Sequence, residues 1–220
     1  MVIAPLFQDR SEAGQILARR LKSIVLDSDA LVLALPRGGV PVGFEIAQTL
    51  RVDLDIFLVR KLGVPGHEEL AMGAIASGGV RVLNESLIQH LGISRSSIDR
   101  VTAREQSEIE RREQLYREGR SAIPIDNRTT ILVDDGLATG ATMLAAARAV
   151  RAKKPKRIIV AVPVASRDAC EEFRRYVDDV ICGEIPEPFY SVGTWYKDFS
   201  QTTDTEVQQL LERVAHQRVT

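Results

Sequence analysis

The sequence predicts a single α/β domain built on a mostly parallel open sheet with helical additions. Three observations carry this reading. Nearly unbroken apolar runs at Ala30–Leu35, Thr130–Val133 and Arg157–Val162 have the character of strands covered on both faces. Segments with helical apolar spacing separate them, the alternation expected of strands joined by crossover helices. The length of 220 residues suits one substantial hydrophobic core.

The elements follow in order. Ser11–Ser28 places Ile16, Leu17, Leu21 and Val25 at helical spacing. Strand Ala30–Leu35 leads into Pro36-Arg37-Gly38-Gly39, and Val40–Leu50 forms the next helix, Pro41 being tolerable near its start. Asp53–Val59 reads as a second strand that delivers Arg60 and Lys61 at its end. Leu62–Glu69 reads as a loop, because Gly63, Pro65 and Gly66 favour a bend. Ala71–Ala76 and Val80–Leu83 form a hairpin around Ser77-Gly78-Gly79. Asn84 caps a short helix through His90, and Ser94 caps a longer one reaching about Gly119. The latter mixes Arg and Glu throughout, as a solvated helix with local ion pairs does, while Ile98, Val101, Ile109 and Leu115 supply an inward side. Strand Thr130–Val133, helix Gly140–Lys153, strand Arg157–Val162, helix Ser166–Tyr176 and strand Val177–Cys182 continue the alternation. Glu206–Val214 is a terminal helix. The core is thus expected over residues 30–182, with a helical insertion at about 84–119 and an aromatic and helical tail at about 183–220.

Composition narrows the function. Lys and Arg number 29 against 30 Asp and Glu, a formal charge of −1. That balance argues against a broad nucleic-acid surface. Cys170 and Cys182 are the only cysteines; they lack close metal-ligand spacing and read as small core or surface residues rather than as a disulfide scaffold. The start shows no signal-peptide order, and no apolar run approaches transmembrane length, so a cytoplasmic location is the expectation.

The most informative segment is Val133-Asp134-Asp135-Gly136-Leu137-Ala138-Thr139-Gly140-Ala141-Thr142. It reads as a buried strand ending in two carboxylates, then a small-residue loop opening into an Ala-rich helix. Backbone N–H groups at such a helix start can hold a monophosphate, with Thr139 and Thr142 adding hydroxyls. Asp134 and Asp135 can accept from sugar hydroxyls or help hold Mg²⁺; an ordinary strand-end turn with solvated carboxylates is the competing reading. The loop lacks the lysine of a Walker loop and the close glycine triplet of a dinucleotide-binding turn. It also lacks a Gly-x-Ser-x-Gly elbow, which argues against a hydrolase. Substrates of open parallel sheets collect beyond the carboxyl ends of strands, where Pro36–Gly39, Arg60–Glu69 and Asp134–Thr142 are all expected.

The decapeptide resembles the phosphoribosyl-diphosphate motif of type I phosphoribosyltransferases, and the Arg37-Gly38-Gly39 turn and the Arg60-Lys61 strand end extend the resemblance. It implies a sheet of that family's kind and a Mg²⁺-dependent transfer of 5-phosphoribosyl from 5-phosphoribosyl 1-diphosphate to a nitrogen nucleophile, with release of pyrophosphate. Asp134 and Asp135 would face the ribose 2- and 3-hydroxyls and serve as the metal ligands. Gly136, Leu137, Ala138, Thr139, Gly140, Ala141 and Thr142 would form the 5-phosphate loop. Arg37, Gly38 and Gly39 would bind pyrophosphate, in a loop that resembles the family's site of a non-proline cis peptide. Arg60 and Lys61 would neutralise the departing pyrophosphate, and the segment after them would be a mobile cover. A homodimer is the expected assembly, without membrane or nucleic-acid partners.

The acceptor is less legible. Ala138 stands where hypoxanthine-guanine enzymes of this family carry a third acid. The adenine-specific members have a glutamate in their mobile segment, where Glu69-Leu70-Ala71-Met72-Gly73 places Ala71. His67, Glu68 and Glu69 are candidate bases or simply solvated. Trp195 or Tyr196, within Phe189–Tyr196, either stacks on a heterocycle or packs an extended tail. A ligand-sensing regulator that keeps the donor pocket and contacts RNA is the alternative function.

Overall fold

The computed structural model describes residues 4–25 and 29–217. Helix α1 spans Arg10–Leu21, capped by Asp9, whose Oδ1 accepts from Glu12 N–H at 2.9 Å. It ends before Val25, and the expected continuation through 26–28 lies outside the described residues. Strand β1 (Leu31–Ala34) leads to α2 (Gly39–Leu50), and β2 (Asp53–Ile56) follows. Then come β3 (Val59–Val64), β4 (His67–Ala76) and β5 (Val80–Leu83), and helices α3 (Glu85–Leu91) and α4 (Arg95–Arg117). Strand β6 (Thr129–Val133), α5 (Ala141–Ala152), β7 (Arg157–Val164), α6 (Arg167–Phe173) and β8 (Asp179–Glu184) complete the alternation. A 3₁₀ turn at Val192–Trp195 and helix α7 (Asp204–Gln217) are the last described elements.

Five strands form a parallel sheet, as the sequence predicts, and their order is β2-β1-β6-β7-β8. Alternate residues supply its two cores, because successive strand side chains point to opposite faces. Val32, Ala34, Ile131, Val133, Ile159 and Ala161 face one core, which α1, α2, α4 and α7 cover. Leu31, Leu33, Leu132, Ile158, Val160 and Val162 face the other, beneath α5 and α6. The order reverses between β1 and β6, which opens a crevice at their carboxyl ends. Their register pairs Ala34 with Val133, so the two following loops leave the sheet at the same level.

Three expectations need correction. Asp53–Val59 is not one strand. The chain leaves the parallel sheet after Ile56, where Leu58 N–H donates to Ser77 Oγ and Leu58 O accepts from Ser77 N–H, both at 2.9 Å. Arg60 and Lys61 therefore lie within β3 of a separate antiparallel sheet, ordered β3-β4-β5, and not at a parallel strand end. The expected loop Leu62–Glu69 is mostly strand as well: β3 and β4 pair from Val59 with Ala76 to Val64 with His67, leaving Pro65-Gly66 as the turn. Backbone pairing satisfies this segment better than an open loop would. Finally, Cys170 and Cys182 form a disulfide, because α6 packs on β8 with the two Cα atoms 6.7 Å apart.

Helices α3 and α4 are both capped. Asn84 accepts from Leu87 N–H, and Ser94 from Ser97 N–H. Helix α4 buries Ile98, Ile109 and Tyr116 together with Glu105 and Arg117, and carries most of its other charges outward. Glu108 bonds both Arg111 and Arg112, which hold its carboxyl down to about 2. Among the described residues no helix is long and apolar enough to cross a membrane.

Candidate active site

The two loops at the sheet reversal touch. A Cβ on Gly38 would lie 2.0 Å from Asp135 Oδ2, and one on Gly39 would lie 2.7 Å from Val133 O and 3.0 Å from Asp134 Cα. Only glycine permits this approach. The Pro36–Arg37 peptide is cis, in the loop where the resemblance implied a cis bond. The Arg37 side chain reaches toward α7, with Nη1 3.6 Å from Asp204 Oδ1.

Asp134 and Asp135 follow the last residue of β6 and are partly buried. Asp134 Oδ1 accepts from Asp135 N–H at 2.9 Å, and Asp135 Oδ2 accepts from Arg10 Nε at 2.8 Å. Burial, reinforced by the neighbouring Asp135 charge, raises the Asp134 carboxyl well above the usual carboxylate range. Asp135 is raised by burial too, against the opposing pull of Arg10.

The following loop is fixed from below. Leu137 is buried, its N–H donating to Val164 O and its O accepting from Ser166 N–H, both at 2.9 Å. Ser166 Oγ also donates to Ala138 O at 2.9 Å. Gly136 lies against Val192, where a Cβ would come within 2.5 Å of that side chain. Gly140 has φ +72°, and a Cβ there would lie 2.4 Å from the Phe173 ring. Thus β7, α6 and the 3₁₀ turn floor the loop, while Ala138, Thr139, Ala141 and Thr142 are exposed. The first intrahelical bond of α5 runs from Leu144 N–H to Gly140 O at 2.8 Å, so the amides before it project from the helix start. Such a start carries partial positive charge and suits a phosphate. A groove of about 630 Å³ runs from this first turn to the antiparallel sheet, lined by Gly73, Val82, Asn84, Ala141, Leu144 and Arg148.

Of the remaining candidates only Tyr196 is shown to touch the two acids; Arg60, Lys61 and Trp195 are engaged by other partners. The Arg60 guanidinium is engaged by buried Glu105 of α4, with Nε and Nη2 at 2.8 and 2.7 Å from Oε2. Lys61 is half exposed and donates to Glu69 O at 3.0 Å. His67, Glu68 and Glu69 are exposed on β4. Trp195 does not offer its face to a ligand: it is buried at 6% exposure in a small core with Phe7, Ala13, Val164 and Tyr196. Pairing of its carbonyl with the Leu6 and Phe7 amides holds it there. Tyr196 is also buried, and its hydroxyl donates to Asp135 O at 2.5 Å. Burial, then the Asp135 charge, pushes this phenol up, so it stays a donor. Arg10 and Phe199 are site residues that no local sequence signal revealed, Ser166 is legible only as a helix start, and Tyr196 packs the tail rather than stacking on a ligand.

Known proteins resemble this chain in fold and sequence. The structure matches that of TT1426 from Thermus thermophilus with a TM-score of 0.84 and 40% identity, covering 94% of this chain and 98% of that one. The AQ2163 protein from Aquifex aeolicus shares the fold, at a TM-score of 0.51 and 11% identity over 84% of this chain and 78% of that one. Proteins from two strains of Mycobacterium tuberculosis, named provisionally as phosphoribosyl transferases, are each 44% identical over 208 residues, or 94% of this chain. The match covers 47% of each relative, so the chain spans about half their length. The phosphoribosyl transferase domain profile matches residues 66–197, which contain the Asp134–Thr142 junction and its flooring. With the sheet, the paired acids and the phosphate-type loop in place, the chain belongs to the phosphoribosyl transferase domain family.

Proposed function

We propose that this chain transfers the 5-phosphoribosyl group from 5-phosphoribosyl 1-diphosphate to a nitrogenous base or amine, releasing pyrophosphate. The observation that carries the reading is the direct packing of the Gly38–Gly39 turn on the Asp134–Asp135 pair. It puts a loop suited to diphosphate against acids suited to ribose hydroxyls, beside a helix start suited to the 5-phosphate.

In this reading the exposed amides of Ala138–Thr142 hold the 5-phosphate and orient the sugar. The second oxygens of Asp134 and Asp135 meet the ribose hydroxyls, and the negative charge the pair retains favours positive character developing on the ring. The amides of Arg37 and Gly38 receive the diphosphate, the Gly39 amide being held by Leu35 O at 3.0 Å, while Arg60 and Lys61 supply positive charge as pyrophosphate leaves by exchanging their Glu105 and Glu69 partners. An acceptor nitrogen attacks C1, the bond from C1 to the diphosphate oxygen breaks with inversion, and the acceptor loses a proton.

Magnesium fits this donor set. Among the described residues no cluster of three or more His, Cys, Asp or Glu side chains surrounds a metal-sized space. Mg²⁺ is commonly held by one or two carboxylates together with substrate phosphates, and Asp134 and Asp135 provide such a pair. Bound there, the ion would supply charge neutralisation for the departing diphosphate.

The glycines separate site from scaffold. Gly39→Ala drives a Cβ into the Val133 carbonyl and should cost about 1–3 kcal/mol of stability. It should also displace the turn and weaken donor binding roughly tenfold, about 1.4 kcal/mol. Gly66→Ala meets no atom within 4 Å but retains φ +81°, so it should cost about 1–2 kcal/mol and leave donor affinity unchanged. Denaturation midpoints and calorimetric titration would show both effects; equal donor affinity in Gly39→Ala would detach that turn from the site. The function itself is tested by a screen of bases and amines with pyrophosphate detection. Release that depends on donor and on one acceptor supports the transferase reading, and no acceptor-dependent release across the screen counts against it.

A further inference from the structure

Asp135 is reached from both ends of the chain. Arg10, the first residue of α1, donates from Nε to Asp135 Oδ2 at 2.8 Å and from Nη1 to Ser200 O at 2.7 Å. Its guanidinium carbon lies 3.9 Å from the Phe199 ring centroid. Phe199 stacks on Tyr196 at 5.1 Å, and Tyr196 donates to Asp135 O. Phe7 closes the group against Tyr196 at 5.4 Å. The Arg10 and Asp135 side chains are only 12% and 17% exposed.

This geometry does more than pair two charges. A carboxylate that must meet a sugar hydroxyl needs a fixed plane, and a donor to one oxygen fixes it while leaving the other oxygen to the ligand. Arg10 is itself held at Ser200 O and beneath Phe199, so its fork is set before any ligand arrives. Releasing Asp135 from this fork would transfer the cost of ordering it to the binding step.

We propose that Arg10 is a positioning residue for the ribose-binding carboxylate Asp135, and that the N-terminal helix and the Tyr196–Ser200 tail are thereby working parts of the sugar site. This rests on reading Asp134 and Asp135 as the ribose site. Arg10 acts through Asp135, so its loss should be felt by the sugar and not by the phosphate.

The test titrates the wild-type protein, Arg10→Lys and Arg10→Ala with ribose 5-phosphate and with inorganic phosphate, followed by NMR shifts, with thermal melting to confirm folding. The wild type should prefer ribose 5-phosphate. Arg10→Ala should weaken ribose 5-phosphate roughly tenfold, the scale of one charge-assisted hydrogen bond, while phosphate affinity changes by less than about twofold. Arg10→Lys keeps the charge but not the two-way fork and should fall between; it carries the comparison if the alanine variant does not fold. An unchanged preference for the sugar, equal weakening of both ligands, or tighter ribose 5-phosphate binding in the variants would overturn the assignment of Arg10. No preference for ribose 5-phosphate in the wild type would overturn the ribose-site reading, and this inference with it.

Discussion

Replacing Asp134 and Asp135 together by asparagine is expected to weaken binding of 5-phosphoribosyl 1-diphosphate by roughly a thousandfold. A hydrogen bond to a charged acceptor is worth about 1.5–3 kcal/mol, so two lost together amount to about 3–6 kcal/mol. At about 1.4 kcal/mol per factor of ten, a thousandfold lies within that range. The amides keep the shape of the carboxylates and remove the mutual repulsion that helps raise Asp134. The loss should therefore fall on binding while the fold survives. Glu68→Gln, on the exposed part of β4, is the matched control and should leave donor affinity unchanged. Calorimetric titration of the three proteins decides it: wild-type affinity in the double variant would remove these acids from the site.

The largest expected effect on stability lies where α4 meets the parallel sheet. Arg117 Nε donates to Asp55 Oδ1 at 2.9 Å, and Nη2 to Ile56 O at 3.2 Å. Asp55 Oδ2 takes Ile123 N–H at 3.0 Å, and Glu113 pairs with Arg117 at 3.1 Å. The Arg117 and Asp55 side chains are 10% and 7% exposed. Removing one member of a buried pair leaves the other charge short of partners in a poorly solvated place. Asp55→Ala should therefore cost about 3–5 kcal/mol. A double variant with leucine at 55 and methionine at 117 should recover much of that loss, since apolar replacements avoid the desolvation penalty. Urea unfolding would measure both, and a loss below about 1 kcal/mol in Asp55→Ala would show that the network contributes no more than a surface pair.

What the sequence made legible was whatever neighbouring residues encode. Asn84 and Ser94 announce helix starts through local hydrogen bonds, and the apolar runs at β1, β6 and β7 announce strands covered on both faces. The Asp134–Thr142 junction is legible for the same reason: strand, acids, small residues and helix are contiguous. The failures have a common physical source in partners distant along the chain. Strand β3 forms because β4 pairs with it, an option that Gly63, Pro65 and Gly66 obscured in a reading based on turn residues. The disulfide depends on α6 lying over β8, which the spacing of Cys170 and Cys182 does not encode. Trp195 is buried because the amides of Leu6 and Phe7 pair with its carbonyl, from the opposite end of the sequence. Arg10 is the sharpest case, 125 residues from Asp135; its local surroundings signal only the start of a helix.

The central claim is that the loops after β1 and β6 form one donor site. A crystal structure with Mg²⁺ and 5-phosphoribosyl 1-diphosphate bound tests it most directly. The account predicts the 5-phosphate on the amides of residues 138–142, the ribose hydroxyls at Asp134 and Asp135, and the diphosphate at Arg37–Gly39. Donor bound elsewhere, or bound with its ribose turned away from the two acids, would contradict it.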